Sequence, residues 1–141
     1  MQDVKEYLKS YKALDNSINQ KLDELVRLKA KAEKTTSILS DMPKGGGQSR
    51  EDTIIKMIML GEKIDAEVDK YVDLRADIEK LISTVQNPTY QTVLRYRYIN
   101  GLTCLQIAMR MDYSEDHVKR LNGNALNELR KITWCHVMPP F

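Results

Sequence analysis

The sequence is poor in the residues that build large cores. Its 141 residues include one Trp, one Phe and seven Tyr, so aromatic side chains make up only 6% of the chain, while charged residues make up 30%. This balance is typical of long helices with narrow apolar stripes rather than of a large globular core. The length accommodates one domain, or one small domain joined to an extended helical element.

Reactive side chains are equally scarce, with two cysteines and two histidines. Two cysteines in a chain without a signal peptide predict reduced thiols. Cys135 and His136 are adjacent, a spacing that suits metal chelation poorly. Neither histidine has a catalytic partner nearby in sequence, and the carboxylates are scattered along predicted solvated faces. We therefore expect a non-enzymatic protein with no metal and no cofactor.

The sequence has no run that approaches the roughly 18 apolar residues of a membrane span. This excludes a helical membrane protein and predicts a cytoplasmic one that does not use a membrane as a partner.

The net charge of +2 is small but unevenly distributed. Residues 1–85 contain 15 Lys and Arg against 16 Asp and Glu, whereas residues 86–141 contain 7 against 4. The excess of positive charge therefore falls on the last third of the chain. An excess of this size is weak support for binding to nucleic acid.

Apolar residues recur at alternating steps of three and four from the start of the chain, which predicts a long amphipathic helix able to form a coiled coil. This seam contains Val4, Tyr7, Tyr11, Leu14, Ile18, Leu25, Leu28, Ala32 and Leu39. Leu8 and Leu22 flank the seam, and charged residues occupy the other faces.

The first helical pattern stops at Pro43 and the three glycines that follow Lys44. A Gly-rich loop beside a lysine can indicate a phosphate-binding loop, but here the lysine precedes the glycines and no Gly-Lys-Ser/Thr follows. We interpret residues 43–49 as a flexible linker.

A second long helix is predicted after the linker, with Ser49 or Asp52 as its N-cap. Its seam contains Ile54, Met57, Gly61, Ile64, Val68, Tyr71, Ile78, Ile82 and Val85. Two helices of about 35 residues joined by a short linker favour an antiparallel hairpin, within one chain or between two chains. A narrow stripe on each helix is too small to be buried alone, so each helix needs a partner.

The remaining residues predict a helix-turn-helix. Asn87-Pro88 starts a third helix that ends at Asn100-Gly101. Thr103 caps a fourth helix over 104–111, and Ser114 caps a last helix over 115–132. The expected inner face of this module contains Leu105, Ile107, Ala108, Met111, Val118, Leu121, Ala125, Leu126 and Leu129. We expect residues 134–141 to be irregular.

Polar residues at the start of the last helix are expected to point outward. Arg and Lys side chains donate to guanine, Asn pairs with adenine, and carboxylates accept from cytosine, so this set suits a recognition helix in the major groove. Free backbone N–H groups at the helix that begins after Thr103 would bind a phosphate. The same pattern also occurs in purely structural helical hairpins.

Residues 93–130 resemble the promoter-reading C-terminal domain of bacterial sigma factors, a helix-turn-helix module. The resemblance rests on Val93-Leu94-Arg95-Tyr96-Arg97-Tyr98, Leu102-Thr103, Gln106-Ile107-Ala108, Ser114, Val118-Lys119-Arg120, Ala125-Leu126 and Leu129-Arg130. By position, Arg95, Arg97 and Thr103 correspond to residues that contact the DNA backbone. The chain departs from the family at Gly123 and Asn124, where a helix former and a basic residue are usual.

The resemblance and the pattern together give one set of candidate DNA-binding residues. The set is Arg95, Arg97, Thr103, Ser114, Glu115, Asp116, His117, Lys119, Arg120 and Asn122. With a helical hairpin before this module, the whole chain resembles small phage regulators of late transcription of the RinA and ArpU-like group. That resemblance implies a location in the cytoplasm of a bacterial host.

The predicted fold is all-α, a long antiparallel coiled-coil-like hairpin followed by a three-helix helix-turn-helix module. The predicted domains are 1–86, with the linker at 43–49, then 87–133, then a tail at 134–141. The expected function is sequence-specific binding of double-stranded DNA in transcription control by a homo-oligomer, with a dimer favoured. The hairpin would serve for self-association or for contact with bacterial RNA polymerase.

Two alternatives are open. A DNA-packaging subunit of a phage, similar to a small terminase, would use the module to select DNA and the hairpins to build a ring. A coiled-coil interaction protein would have the same layout without binding DNA.

Overall fold

The computed structural model describes the backbone of residues 3–39 and 46–136 and the side chains of residues 3–34 and 50–133. Within these residues the chain is all-α, as the sequence predicts. The α-helices are α1 (Val4–Leu39), α2 (Gly46–Ser83), α3 (Pro88–Leu94), α4 (Cys104–Met111) and α5 (Glu115–His136). A π-helical segment, Arg95–Ile99, continues α3.

The chain divides into two compact units. Unit 2, residues 14–71, contains the later turns of α1 and the earlier turns of α2. Ser17 and Lys21 both donate to the Glu67 carboxylate, Lys21 at 2.8 Å. Since the start of α1 also groups with the end of α2, the two helices are antiparallel. These bonds, with that from Lys21 foremost, hold the pKa of Glu67 below its usual value. Unit 2 therefore contains a helical hairpin formed within one chain.

Unit 1 contains residues 1–13 and 72–141, so the ends of both long helices belong with α3, α4 and α5. Leu8 at the start of α1 is completely buried, and Ile78 and Ile82 near the end of α2 are buried as fully. Arg130 of α5 forms a bidentate ion pair with Asp3, at 3.0 and 3.1 Å. The first turns of α1 and the last turns of α2 therefore belong to the same compact unit as the helix-turn-helix, and the Asp3–Arg130 pair joins α1 to α5.

The heptad seam predicted for α1 is confirmed by burial. Val4, Tyr11 and Ile18 are buried, and the other described members of the seam are half-buried. The seam predicted for the second helix is confirmed in part: Ile64, Ile78, Ile82 and Val85 are buried, although Val85 lies just beyond the end of α2. Ile54 and Val68 are more than a third exposed.

The helix α2 begins earlier than predicted. It starts at Gly46, so residues 46–49 are helical and belong to α2 rather than to the linker, and neither Ser49 nor Asp52 is its N-cap. Glycines cost least in a first turn, where the backbone N–H groups have no intrahelical partner in any case. The other predicted linker residues, 43–45, lie outside the described residues.

The helix α5 continues four residues beyond the predicted end, to His136. Residues 134–136, expected to be irregular, are helical because 133–136 contain neither Gly nor Pro and simply propagate the helix. The rest of the predicted tail, 137–141, lies outside the described residues.

No helix in the described part of the chain is long and apolar enough to cross a membrane. The division into two compact units groups residues by contact and has other limits than the predicted domains. The predicted domain limits at 86 and 133 stay predictions.

Candidate nucleic-acid interface

Four buried side chains set the packing of α4 against α5. Val93, Ile107 and Val118 are fully buried, and Ala108 is 4% exposed. The small side chain of Ala108 permits close approach where the two helices cross, and Val118 closes the contact from α5. This is the core of a helix-turn-helix, and it holds the start of α5 in place.

The turn between α4 and α5 is fixed by local hydrogen bonds. Asp112 ends α4 in the left-handed conformation, at φ 57°, which Asp tolerates better than most residues. The Tyr113 N–H donates to the Ala108 carbonyl at 3.0 Å. Ser114 Oγ accepts from the His117 N–H at 3.1 Å, so Ser114 is the N-cap that the sequence predicts.

The first turns of α5 project a mixed set of charges into solvent. Glu115, Asp116, Lys119 and Arg120 are all exposed, while Val118 between them is buried. Lys119 Nζ lies 3.4 Å from Glu115 Oε1, and both side chains are largely exposed. An exposed pair of this kind is worth about 0.3–0.5 kcal/mol, so Lys119 is readily available to another anion.

Two candidate residues of α5 are less exposed than the sequence predicts. The His117 ring meets the Tyr113 ring edge-on, with centroids 4.8 Å apart, and His117 is half-buried. Asn122 is also half-buried; its Oδ1 is enclosed and has no hydrogen-bond partner among the described residues. The prediction that Asn122 points outward is therefore wrong, because Asn122 lies toward the packed side of α5 and its Oδ1 is buried.

Thr103 is exposed and caps α4. Its Oγ1 accepts from the Gln106 N–H at 3.2 Å, and the Gln106 side chain accepts from the Thr103 N–H at 2.9 Å. This reciprocal pair forms a capping box, which starts the helix at Cys104 as predicted. The exposed hydroxyl remains at the surface where a phosphate would approach.

Arg95 and Arg97 are engaged within unit 1. Arg95 Nε lies 3.1 Å from Glu79 Oε2, and its guanidinium also donates to Gln91 and Ser83. Arg97 Nη1 donates to the Leu102 carbonyl at 3.0 Å and so supports the loop before α4. Both arginines thus stabilise the module, and neither lies on the exposed start of α5.

Sequence reasoning misplaced one residue of α4 and missed two contacts. Leu105 was expected in the inner face but is 54% exposed, because the buried side of α4 is centred on Ile107 and Ala108. The Arg110 guanidinium lies 5.6 Å from the centre of the Tyr96 ring, a cation–π distance. The second missed contact is the one between the rings of Tyr113 and His117, and their i, i+4 spacing could have predicted it.

These elements match a family model over residues 34–130, from the end of α1 through most of α5. The chain belongs to this family. The model is described as "Protein of unknown function (DUF1492)". Comparison with curated proteins and with solved structures found no match.

The described residues contain no group of three His, Cys, Asp or Glu side chains placed to hold a metal ion. The exposed start of α5 is the feature of this DUF1492 chain on which a functional interpretation rests.

Proposed function

We propose that this DUF1492 chain is a non-enzymatic protein that binds double-stranded DNA sequence-specifically and regulates transcription. One observation carries the proposal: the first turns of α5 expose Asp116, Lys119 and Arg120, while the opposite side of the helix is fixed in the core by Val118 and Leu129. A rigid helix with an exposed polar start is what major-groove recognition requires.

The chemistry of this surface fits base contacts as well as phosphate contacts. Arg120 can donate to guanine, and Glu115 or Asp116 can accept from cytosine. The N-cap hydroxyls of Thr103 and Ser114 lie at helix starts, where backbone N–H groups favour an anion. Because few cations lie on one module, a single copy should bind weakly, and two linked copies should bind far more tightly.

The resemblance to the sigma-factor module and to phage late-transcription regulators supports a role in transcription in a phage or prophage setting. Under this proposal the hairpin of unit 2 serves self-association or contact with RNA polymerase in the bacterial cytoplasm. Under this proposal Arg95 and Arg97 mainly stabilise the module through their bonds to Glu79 and to the Leu102 carbonyl. Contacts from these arginines to the DNA backbone would be secondary.

The direct test replaces both Lys119 and Arg120 by Ala. Binding to genomic duplex fragments, measured by fluorescence anisotropy at low salt, should weaken at least about 30-fold, since each of the two direct contacts is worth about 1–3 kcal/mol. The matched control is the double variant Lys56→Ala and Lys63→Ala, two exposed cations of unit 2 with the same charge change.

Equal losses in the two variants would reduce the effect to net charge and would refute the assignment of α5 as the recognition helix. If the unsubstituted protein gave no complex at low salt, the second candidate, an interaction protein, would be correct. The exposed apolar residues of unit 2, among them Val26 and Ile58, are the observation that favours that candidate.

A further inference from the structure

The hairpin of unit 2 is poorly buried for a structure of its size. Among its described side chains only Ile18, Thr53 and Ile64 are buried. Several large apolar side chains are instead exposed, including Val26 at 67% and Ile58 at 58%. Two amphipathic helices with so small a shared core are marginal alone and gain stability from a further layer.

Some of these exposed side chains share one face of the hairpin. With 100° between successive residues, Ile54 and Ile58 lie on a stripe of α2 that is roughly 80–120° from the side that carries Ile64 toward α1. Leu22 and Val26 lie on the flank of α1 that turns to the same side, at the level set by the Ser17–Glu67 and Lys21–Glu67 bonds. We call these four residues the apolar face.

The stripe on α2 has a near-symmetric order. Along the helix it runs Arg50, Ile54, Ile58, Gly61 and Asp65, with a cation at one end and a carboxylate at the other. Arg50 and Asp65 are equally distant from the point between residues 57 and 58, and so are Ile54 and Gly61. When a second copy of the stripe is inverted about this point, each Arg50 therefore lies opposite an Asp65 and each Ile54 opposite a Gly61.

We propose that unit 2 pairs face to face with a second copy of this chain, antiparallel, about a two-fold axis that passes α2 near Ile58. Arg50 of each copy then faces Asp65 of the other, and Ile54 of each copy packs over Gly61 of the other. A side-chain carbon at Gly61 would meet no heavy atom within 4 Å in the single chain, so the space above it is open. A parallel arrangement would instead place like charges together.

The extent of the face sets the strength of pairing. The stripe from Arg50 to Asp65 is about 22 Å long, and two helices side by side are about 20 Å wide, which gives about 450 Å² per copy. The total of about 900 Å² lies below the roughly 1,200 Å² of standard stable interfaces and predicts a weak, reversible dimer. This inference rests on the proposal that the protein acts as an oligomer, and it identifies the apolar face of unit 2 as the surface through which two copies pair.

Sedimentation equilibrium of the full-length protein without DNA tests the pairing. Ile58→Glu should raise the dissociation constant at least tenfold, because it puts a charge at the axis. Met109→Glu is the matched control, since Met109 is 74% exposed on α4 outside unit 2. Circular dichroism checks that both variants keep their helix content.

A charge-reversal series tests the antiparallel orientation. Arg50→Asp and Asp65→Arg should each weaken the dimer about tenfold, because each places two like-charged pairs across the interface. The double variant restores opposite charges at both ends and should return to within about twofold of the unsubstituted protein. Failure of this rescue, or a dimer unaffected by Ile58→Glu, would overturn the proposal.

The outcome is separable from the proposed function. A chain that stays monomeric but still binds duplex DNA through Lys119 and Arg120 refutes the pairing surface alone. A chain that dimerises as described but does not bind DNA refutes DNA recognition alone.

Discussion

At the residue scale, the least satisfied group in the described structure is a buried polar pair in unit 1. The hydroxyl of Tyr98 and the Oδ1 of Asn122 are both enclosed, and neither has a hydrogen-bond partner among the described residues. A buried polar atom without a partner costs about 1–3 kcal/mol. Burial also raises the pKa of Tyr98 above its usual value of 10.0.

We expect Tyr98→Phe to change the free energy of unfolding by no more than about 1 kcal/mol at pH 7, since the enclosed hydroxyl has at most a poorly aligned bond to Asn122 to lose. The raised pKa adds a pH dependence: the unfolded chain loses the phenol proton at lower pH than the folded chain, so stability is complete below pH 10 and falls above it. Urea titrations at pH 7 and pH 10.5 measure both effects. A variant that loses more than about 2 kcal/mol at pH 7, or that keeps the full alkaline decline, would contradict this account.

At the element scale, the helix ends marked by a capping residue around the turns of the module were predicted correctly, whereas the start of α2 and the end of α5 were not. Thr103 and Ser114 start their helices as expected, and Gly101 ends the third helical region at φ 73°. These signals are local, because a cap needs only a side chain and the next backbone N–H groups. The π-helical segment was not predictable, since nothing in its sequence replaces the ordinary helical pattern; in the structure the Asn100 N–H donates to the Arg95 carbonyl.

The partners of the site residues were also beyond sequence reasoning. The spacing around Arg95 gives no indication of Glu79, sixteen residues earlier. Arg130 pairs with Asp3 across 127 residues. Such contacts depend on how helices are brought together. The sequence therefore predicted that Lys119 and Arg120 are exposed, but not that Arg95 has a partner in a distant helix.

Two glycines of the module should respond in opposite ways to Ala. Gly123 lies within α5, and an added Cβ would meet nothing within 4 Å, so Gly123→Ala should stabilise the fold by about 1 kcal/mol. Gly101 has a positive φ, so Gly101→Ala should destabilise it by about 1–2 kcal/mol. Thermal unfolding of both variants measures the contrast, and shifts of the same sign would contradict it.

At the scale of the whole molecule, the helix-turn-helix is not independent of the long helices. Leu8 lies some 85 residues before the module in sequence, yet it is completely buried in the same unit. The bidentate Asp3–Arg130 pair joins the start of α1 to the candidate recognition helix, and it lowers the pKa of Asp3. The start of α1 and the end of α2 therefore belong to the same compact unit as the proposed recognition helix.

We expect Leu8→Ala to lower the free energy of unfolding by about 2–5 kcal/mol, because it leaves a cavity in the core of unit 1. Leu105→Ala is the control, since the same side chain is 54% exposed there and should change stability by about 0.5 kcal/mol. Chemical denaturation followed by circular dichroism compares the two. Equal effects would show that the start of α1 is not part of this core.

The central claim is that the exposed start of α5 contacts duplex DNA. Amide chemical shifts of the isotope-labelled full-length protein, recorded by NMR during titration with a duplex fragment at low salt, test it most directly. The account predicts the largest changes at residues 114–120, with smaller changes near Thr103. Changes confined to residues 14–71, or none at saturating duplex, would contradict it.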